Sequence, residues 1–178
     1  MKSKMLAMIV SAVLIVPAVA AVPAIAAIGS DAAACEIGNE PAILADISGL
    51  KDRTGRVKLE LYPATDADFL KDDRDLIAQK KFFRRVWADM PASGHVEVCI
   101  KVPHPGRYAL FFTHDRDGKN KFNFRVDGAG VPSNRRIGMS RPKLDAAVVD
   151  VGSGVTVTHI RAQYLRSILT GFGPLKDG

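Results

Sequence analysis

Acidic and amide side chains recur at short intervals in the segment HDRDGKNKFN at residues 114–123. Asp115, Asp117 and Asn123 occupy the first, third and ninth places of a short loop, and Gly118 stands at its bend. Calcium takes about six to eight oxygen ligands, and a linear loop supplies them at alternating positions because those side chains turn inward together. The spacing therefore makes calcium binding one hypothesis for this segment.

The same loop also has two features that argue against calcium. Lys119 brings a cation to the fifth place, and no acidic residue stands at the twelfth. A simpler interpretation is a hairpin turn in which Asp115 and Asp117 accept backbone N–H groups and Gly118 adopts a positive φ. We therefore expect no obligatory cofactor, and a calcium-binding module is the alternative.

His114 stands next to Asp115 and suggests an acid/base pair, so a hydrolase is a third hypothesis. The chain contains no Gly-x-Ser-x-Gly sequence, neither cysteine adjoins a histidine, and the histidines lack the short spacing of zinc sites. A strand-end histidine that hydrogen-bonds a loop carbonyl explains His114 more simply. The sequence thus predicts no enzyme and no catalytic residue.

A second candidate site is basic. Arg135 and Arg136, followed by Arg141 and Lys143, form the densest cationic group in the second half of the chain. Arginine clusters suit carboxylate and phosphate groups, including those of outer-membrane glycolipids. With His114 nearby as a possible ligand residue, and with a net charge of +6, an anionic envelope lipid or glycan surface is one candidate partner. Solvated loop charge is the simpler interpretation of this group.

The first residues have the pattern of an export signal. Lys2 and Lys4 precede an almost unbroken apolar run over residues 5–28 that is rich in alanine. We predict a signal peptide at residues 1–27, with an uncleaved anchor as the alternative. Cleavage would leave a periplasmic or extracellular protein without a transmembrane segment, for which nucleic acid is a poor partner.

The chain has two cysteines, Cys35 and Cys99. In an exported protein the plain interpretation is one disulfide that ties an N-terminal extension, residues 28–41, to an internal strand. Two free thiols are the alternative. The main domain is predicted over residues 42–166, and a flexible C-terminal tail over residues 167–178.

Short runs of alternating apolar and polar residues, separated by turn residues, predict about seven strands. The fold class is therefore all-β, an immunoglobulin- or transthyretin-like antiparallel β-sandwich, with a small barrel as the alternative. We expect the runs at 43–47 and 57–61 to form a hairpin. The run at 82–89 is predicted as an edge strand with solvent-facing arginines and with Phe and Trp on the core. A phase change in the last run predicts a bulge near Thr158.

Two longer motifs, GRYALFFTHDRDGKNKFN and GVPSNRRIGMS, together with the closing pair of strands, resemble the exported bacterial family DUF2141. The resemblance runs from about residue 42 to residue 164, and it implies a fold and export but no activity. The chain departs from the family pattern at Asp117, Lys119 and Asn123, which counts against a shared metal-binding role. We expect an uncharacterised exported protein with a non-catalytic binding or structural role in the cell envelope, carried by the loops at residues 113–123 and 127–140.

Overall fold

A computed structural model describes residues 26–176, so the predicted signal peptide lies outside the described residues except for its last two positions. The described chain forms ten strands in two sheets with three short helices, and the all-β sandwich is confirmed. The strands are β1 (Ala42–Ser48), β2 (Arg56–Pro63), β3 (Arg84–Asp89), β4 (Val96–Lys101), β5 (Gly106–Asp115), β6 (Gly128–Gly130), β7 (Val148–Val151), β8 (Val155–Arg161), β9 (Gln163–Ser167) and β10 (Gly171–Pro174). The helices are α1 (Ala32–Ile37), α2 (Asp73–Ala78) and α3 (Leu144–Ala147).

The two sheets differ in size. The small sheet has the order β4-β1-β8, in which β1 pairs antiparallel with β4 and parallel with β8. The large sheet has the order β10-β9-β6-β5-β2-β3, and β7 also pairs with β5. Strand β5 is the longest, with ten residues, and it pairs with β2, β6 and β7. Strand β5 therefore positions the candidate loop that follows its carboxyl end.

The core lies between the two sheets and follows the period-2 alternation of the strands. Burial of each large apolar side chain there stabilises the fold by about 1.5 to 3 kcal/mol. The small sheet contributes Ile43, Ile47, Val98, Ile100 and Ile160, and the large sheet contributes Val57, Leu59, Leu61, Leu110 and Phe112. The opposite, outer face of the large sheet carries a second apolar cluster that includes Tyr62, Leu76 and Ala147 from β2, α2 and α3.

Two predictions about the strands, a hairpin and a bulge, are wrong. Strands β1 and β2 belong to different sheets, so the turn over residues 49–55 carries the chain across the sandwich and forms no hairpin. The predicted bulge near Thr158 is also absent from the pairing of β8, which continues in register with β1 through Arg161. Val155 and Val157 lie on the outer face of β8, with Val157 56% exposed, whereas Ile160, Ala162 and Tyr164 are spaced two apart on the core face, so the alternation is not interrupted.

Strand β3 lies at an edge of the large sheet, as predicted, but its faces are reversed. Val86 and Ala88 are buried in the core, whereas Trp87 lies on the outer face. The guanidinium of Arg56 stacks on the Trp87 ring at 4.1 Å from its centre. A cation and an aromatic ring attract each other in this geometry, which makes the outer face a suitable place for the tryptophan.

Both ends of the described chain are held to the sandwich. Ile28 bridges to Val98, and Cys35 and Cys99 form a disulfide, as the sequence predicts. The predicted flexible tail is wrong at residues 171–174, because β10 pairs with β9 and Phe172 is buried. None of the helices described between residues 26 and 176 has both the length and the apolar character needed to span a bilayer.

Candidate functional site

The last residues of β5 point to opposite faces of the large sheet. His114 continues the core-facing series, and Thr113 and Asp115 belong to the outer face. His114 and Asp115 are therefore neighbours in sequence that project in opposite directions.

His114 is fully buried, and both of its ring nitrogens are engaged. Nε2 lies 2.8 Å from the carbonyl oxygen of Thr54, which can only accept, so Nε2 carries the proton. Nδ1 then accepts from the hydroxyl of Tyr164 at 2.7 Å. Burial lowers the pKa of His114 and raises the pKa of Tyr164 to about 12, so both groups are neutral at pH 7. The histidine bonds a loop carbonyl, as the simpler interpretation has it, and no hydrogen bond joins it to Asp115.

Asp115 is only 2% exposed, and its two carboxylate oxygens have different surroundings. Its Oδ2 accepts from Nε of Arg56 at 3.1 Å and from the backbone N–H of Asn120 at 3.4 Å. Its Oδ1 is buried and has no hydrogen-bond partner among residues 26–176. Arg56 also donates to the carbonyl of Gly118, so one guanidinium fixes both the aspartate and the bend of the loop.

Asp127 closes the loop from its other end. This residue precedes β6, is 1% exposed, and accepts backbone N–H groups from both sides of the loop. Arg116 donates to Oδ1 at 2.9 Å, and Asn123 donates to Oδ2 at 2.7 Å. A tight turn in which the N–H of Asp127 donates to the carbonyl of Asn123 brings the aspartate back towards the end of β5.

Asp115, Asp117 and Asp127 form a cluster in which one carboxylate oxygen from each lies within 4.8 Å of the others. The structure thus brings together Asp115 and Asp117 from the predicted set. Asn123 has a different position: its side-chain amide donates to Asp117 at 3.2 Å. Sequence reasoning missed Asp127 because it falls one place beyond the twelfth position at which a linear calcium loop ends in an acid.

The hairpin-turn interpretation is confirmed at the bend. Asp117 Oδ1 accepts the backbone N–H of Lys119 at 3.2 Å, and Gly118 has a φ of +68°. The hydrogen bond from the Asn123 side chain, together with those from Lys119, lowers the pKa of Asp117. Lys119 Nζ lies 3.6 Å from Asp117, but its side chain is 74% exposed, so the lysine is at the surface of the cluster. Arg56 and Lys119 offset two of the three negative charges.

The donor set consists of oxygens. Hard cations such as calcium and magnesium prefer carboxylate, carbonyl and amide oxygens. A carboxylate oxygen that accepts one backbone N–H retains a lone pair, so internal hydrogen bonds in the cluster and a cation are compatible.

The two predicted anion-binding arginines are occupied elsewhere. Arg135 pairs with Asp145 at 2.9 Å, and this hydrogen bond lowers the pKa of Asp145. Arg136 donates to the carbonyls of Thr170 and Phe172 and so holds the β9–β10 hairpin. Neither contact joins these arginines to His114 or to the acidic cluster, so the three predicted ligand residues do not form one site through the contacts of residues 26–176.

Comparison with known proteins gives one positive result. Residues 45–159 match the model of a family described as an uncharacterized protein conserved in bacteria (DUF2141), and the match includes the whole acidic cluster. No curated protein and no solved structure matched the chain.

Proposed function

The chain belongs to the bacterial family DUF2141, and on that premise we propose that it is a non-catalytic, exported binding module whose loop at residues 115–127 holds a divalent cation. Calcium fits this loop best. One observation carries the proposal: Asp115, a member of the cluster with Asp117 and Asp127, has a buried carboxylate oxygen, Oδ1, without a hydrogen-bond partner among the described residues. Leaving a charged acceptor buried and unpaired is costly, and a bound cation removes that cost.

The hydrogen bonds of the loop favour a site that exists before the cation binds. Asp127 joins the two ends of the loop through backbone N–H groups, and Arg56 holds Asp115 from the neighbouring strand. Because these contacts fix the carboxylates without a cation, binding requires little ordering of the chain.

Calcium is favoured over magnesium by the irregular shape of the loop. Calcium accepts flexible coordination by carboxylates and carbonyls, whereas magnesium demands near-octahedral geometry and retains its waters. The positive charges of Arg56 and Lys119 oppose any cation, so we expect weak binding, with a dissociation constant of about 10⁻⁴ to 10⁻³ M, as in extracellular modules.

Export to the bacterial cell envelope is part of the proposal. The Cys35–Cys99 disulfide is compatible with an oxidising compartment. The alanine-rich apolar run that follows Lys2 and Lys4 supports a signal peptide. Extracellular calcium-binding modules have dissociation constants in the range expected here, so a weak calcium site is compatible with export.

The direct test is the thermal midpoint of the oxidised, purified protein in 10 mM calcium (about 10 to 100 dissociation constants) and in excess chelator. Binding to the folded state alone then stabilises it by about 1 to 3 kcal/mol. For a protein of this size the midpoint rises by several degrees. The same midpoint in calcium, in magnesium and in chelator would overturn the proposal.

Two matched variants locate the effect. Asp117→Ala removes one carboxylate of the cluster and, unlike Asp115→Ala, leaves the Arg56 pair intact. Asp150→Ala removes an equal charge from a side chain that is 72% exposed and pairs with Arg107. We expect the calcium response to disappear in the first variant and to remain in the second. A response retained in Asp117→Ala would place the cation elsewhere.

A further inference from the structure

A cavity of about 340 Å³ lies on the outer face of the large sheet, beside the loop at residues 115–127, here called the acidic loop. Its floor is formed by Lys58 and Glu60 of β2 and by Thr113 of β5, two residues before Asp115. Its walls come from the acidic loop, from β10 and from the segment over residues 137–142. The volume and the mixture of apolar walls with a few polar groups are typical of small-molecule sites.

The walls are aromatic and apolar. Phe122 and Phe124 of the acidic loop are 43% and 51% exposed, and Met139 is 65% exposed across the cavity. The ring of Phe122 lies 5.8 Å from that of Phe172, centre to centre. Large apolar side chains gathered around one opening, in contrast to single ones scattered over a surface, mark a site that buries an apolar ligand.

The floor offers one unused polar group. Lys58 Nζ pairs with Glu60 at 3.0 Å, and Arg85 pairs with the other oxygen of Glu60 at 2.7 Å, so the buried charges there are compensated. Thr113 is 2% exposed, and its Oγ1 has no hydrogen-bond partner within the described chain. A buried hydroxyl without a partner is unusual in folded proteins, and Thr113 lies among the residues that line the cavity.

The rim of the cavity carries an uncompensated positive charge. Arg141 lines the cavity and is exposed, and it donates to the carbonyl of Leu70 at 3.3 Å. The ion pairs formed by residues 26–176 do not include Arg141. A planar guanidinium with free donors is suited to a carboxylate or another oxyanion.

We propose that this cavity binds a small amphipathic anion, with its apolar body between the phenylalanines and its oxyanion at Arg141. Thr113 Oγ1 supplies a hydrogen bond at the floor. The charge complementarity of Arg141 selects an anion over a neutral or cationic molecule with the same apolar body. The proposal does not depend on cation binding at the neighbouring loop, because none of its contacts is made by the acidic cluster.

The test uses three probes with one apolar chain, decanoate, decanol and decylammonium, titrated into the oxidised protein and followed by backbone amide NMR. We expect saturable shifts centred on residues 58, 113, 122, 124 and 141. Decanoate should bind about fivefold tighter than decanol, the factor expected for one partly exposed charged contact. Decylammonium should bind most weakly. Equal affinities for the three probes, or shifts centred away from these residues, would overturn the proposal.

Variants distinguish the contribution of the Arg141 charge to ligand affinity from that of the apolar walls. Arg141→Gln should lower decanoate affinity about fivefold and leave decanol unchanged, since it removes only the charge. Phe124→Ala should weaken both probes. Arg74→Gln is the matched control, because its side chain is 86% exposed and is not part of the cavity. Unchanged decanoate affinity in Arg141→Gln would refute the assigned contact.

Vesicles distinguish a soluble ligand from a membrane. We expect decanoate to displace any binding of the protein to anionic or neutral phospholipid vesicles. Binding to anionic vesicles without any response to decanoate would identify a charged membrane surface as the ligand and would also overturn the proposal.

Discussion

Arg56 and Asp115 lie directly opposite each other on β2 and β5, and their side chains meet at 3.1 Å on the outer face of the large sheet. The arginine takes one oxygen of the carboxylate and leaves the other buried without a partner in the described chain. This half-satisfied pair links the sheet to the acidic loop, because Arg56 also donates to the carbonyl of Gly118.

Removal of Asp115 should destabilise the protein more than removal of Asp117. Asp115→Ala leaves Arg56 partly buried without its carboxylate, and we expect a loss of about 2 kcal/mol, below the usual cost of breaking a buried pair because the arginine side chain is 28% exposed. Asp117→Ala should cost less, because the cation paired with Asp117, Lys119, is 74% exposed. Urea unfolding in chelator measures both, and a double variant with Arg56→Ala gives the coupling. Equal losses in the two single variants would contradict this ranking.

Replacement of Thr113 should stabilise the protein in the absence of ligand. Thr113→Val keeps the shape of the side chain and removes a buried hydroxyl that lacks a partner in the described chain, which should raise the free energy of unfolding by about 1 kcal/mol. Thr158→Val, at a half-buried position of β8, should have little effect and serves as the control. A clear loss of stability in Thr113→Val would mean that the hydroxyl has a partner in solution.

The buried histidine should make stability depend on pH. Burial lowers the pKa of His114 in the folded protein below the unfolded value of about 6.5. As the pH falls through about 6.5 the unfolded chain gains a proton that the folded protein does not, so stability is complete at pH 7.5 and declines towards pH 5. Denaturant unfolding at several pH values should show this slope.

The contribution of His114 can be separated from that of the carboxylates. In His114→Gln the decline between pH 7 and pH 5 should shrink, and persistence of the full decline would assign it to another group. The hydrogen bond from Arg116 lowers the pKa of Asp52, and this carboxylate loses its contribution only as the pH falls below about 4.

The disulfide should contribute a large share of the stability. It joins residues 64 positions apart, and closing such a loop in the unfolded chain is worth about 4 kcal/mol in the chain-entropy model. Reduced protein and a Cys35→Ser, Cys99→Ser double variant should unfold at similarly lowered denaturant concentrations. The double variant should be insensitive to reductant, and equal stability of oxidised and reduced protein would contradict the expectation.

The strands were largely predictable because their signal is local. Alternation at residues 43–47 and 57–61 reports which side chains face the core, and it corresponds to β1 and β2. The sheet to which a strand belongs was not predictable. The turn over residues 49–55 is as compatible with a hairpin as with the observed crossing between sheets, since alternation carries no information about the partner strand.

In the candidate site, too, contacts between residues close in sequence were predictable and contacts between distant residues were not. Asp115, Asp117 and Gly118 fall within four consecutive positions, so their spacing alone predicts a turn. Asp127 joins them only because the chain folds back at residues 123–127, and its distance in sequence hides the contact. The cavity beside the loop needs Thr113, Phe172 and Arg141 from three separate elements, and no motif marks such a combination.

The amino-acid sequence by itself determined the all-β class, the pairing of Cys35 with Cys99, the family, and the acidic turn after β5. Each of these rests on periodicity, on spacing over a few residues, or on a choice among few candidates. Only the tertiary structure decided that His114 is buried against Tyr164 and that Asp127 completes the acidic cluster. Those contacts join residues 50 and 12 positions apart, and they arise from the packing of whole sheets, which local patterns do not specify.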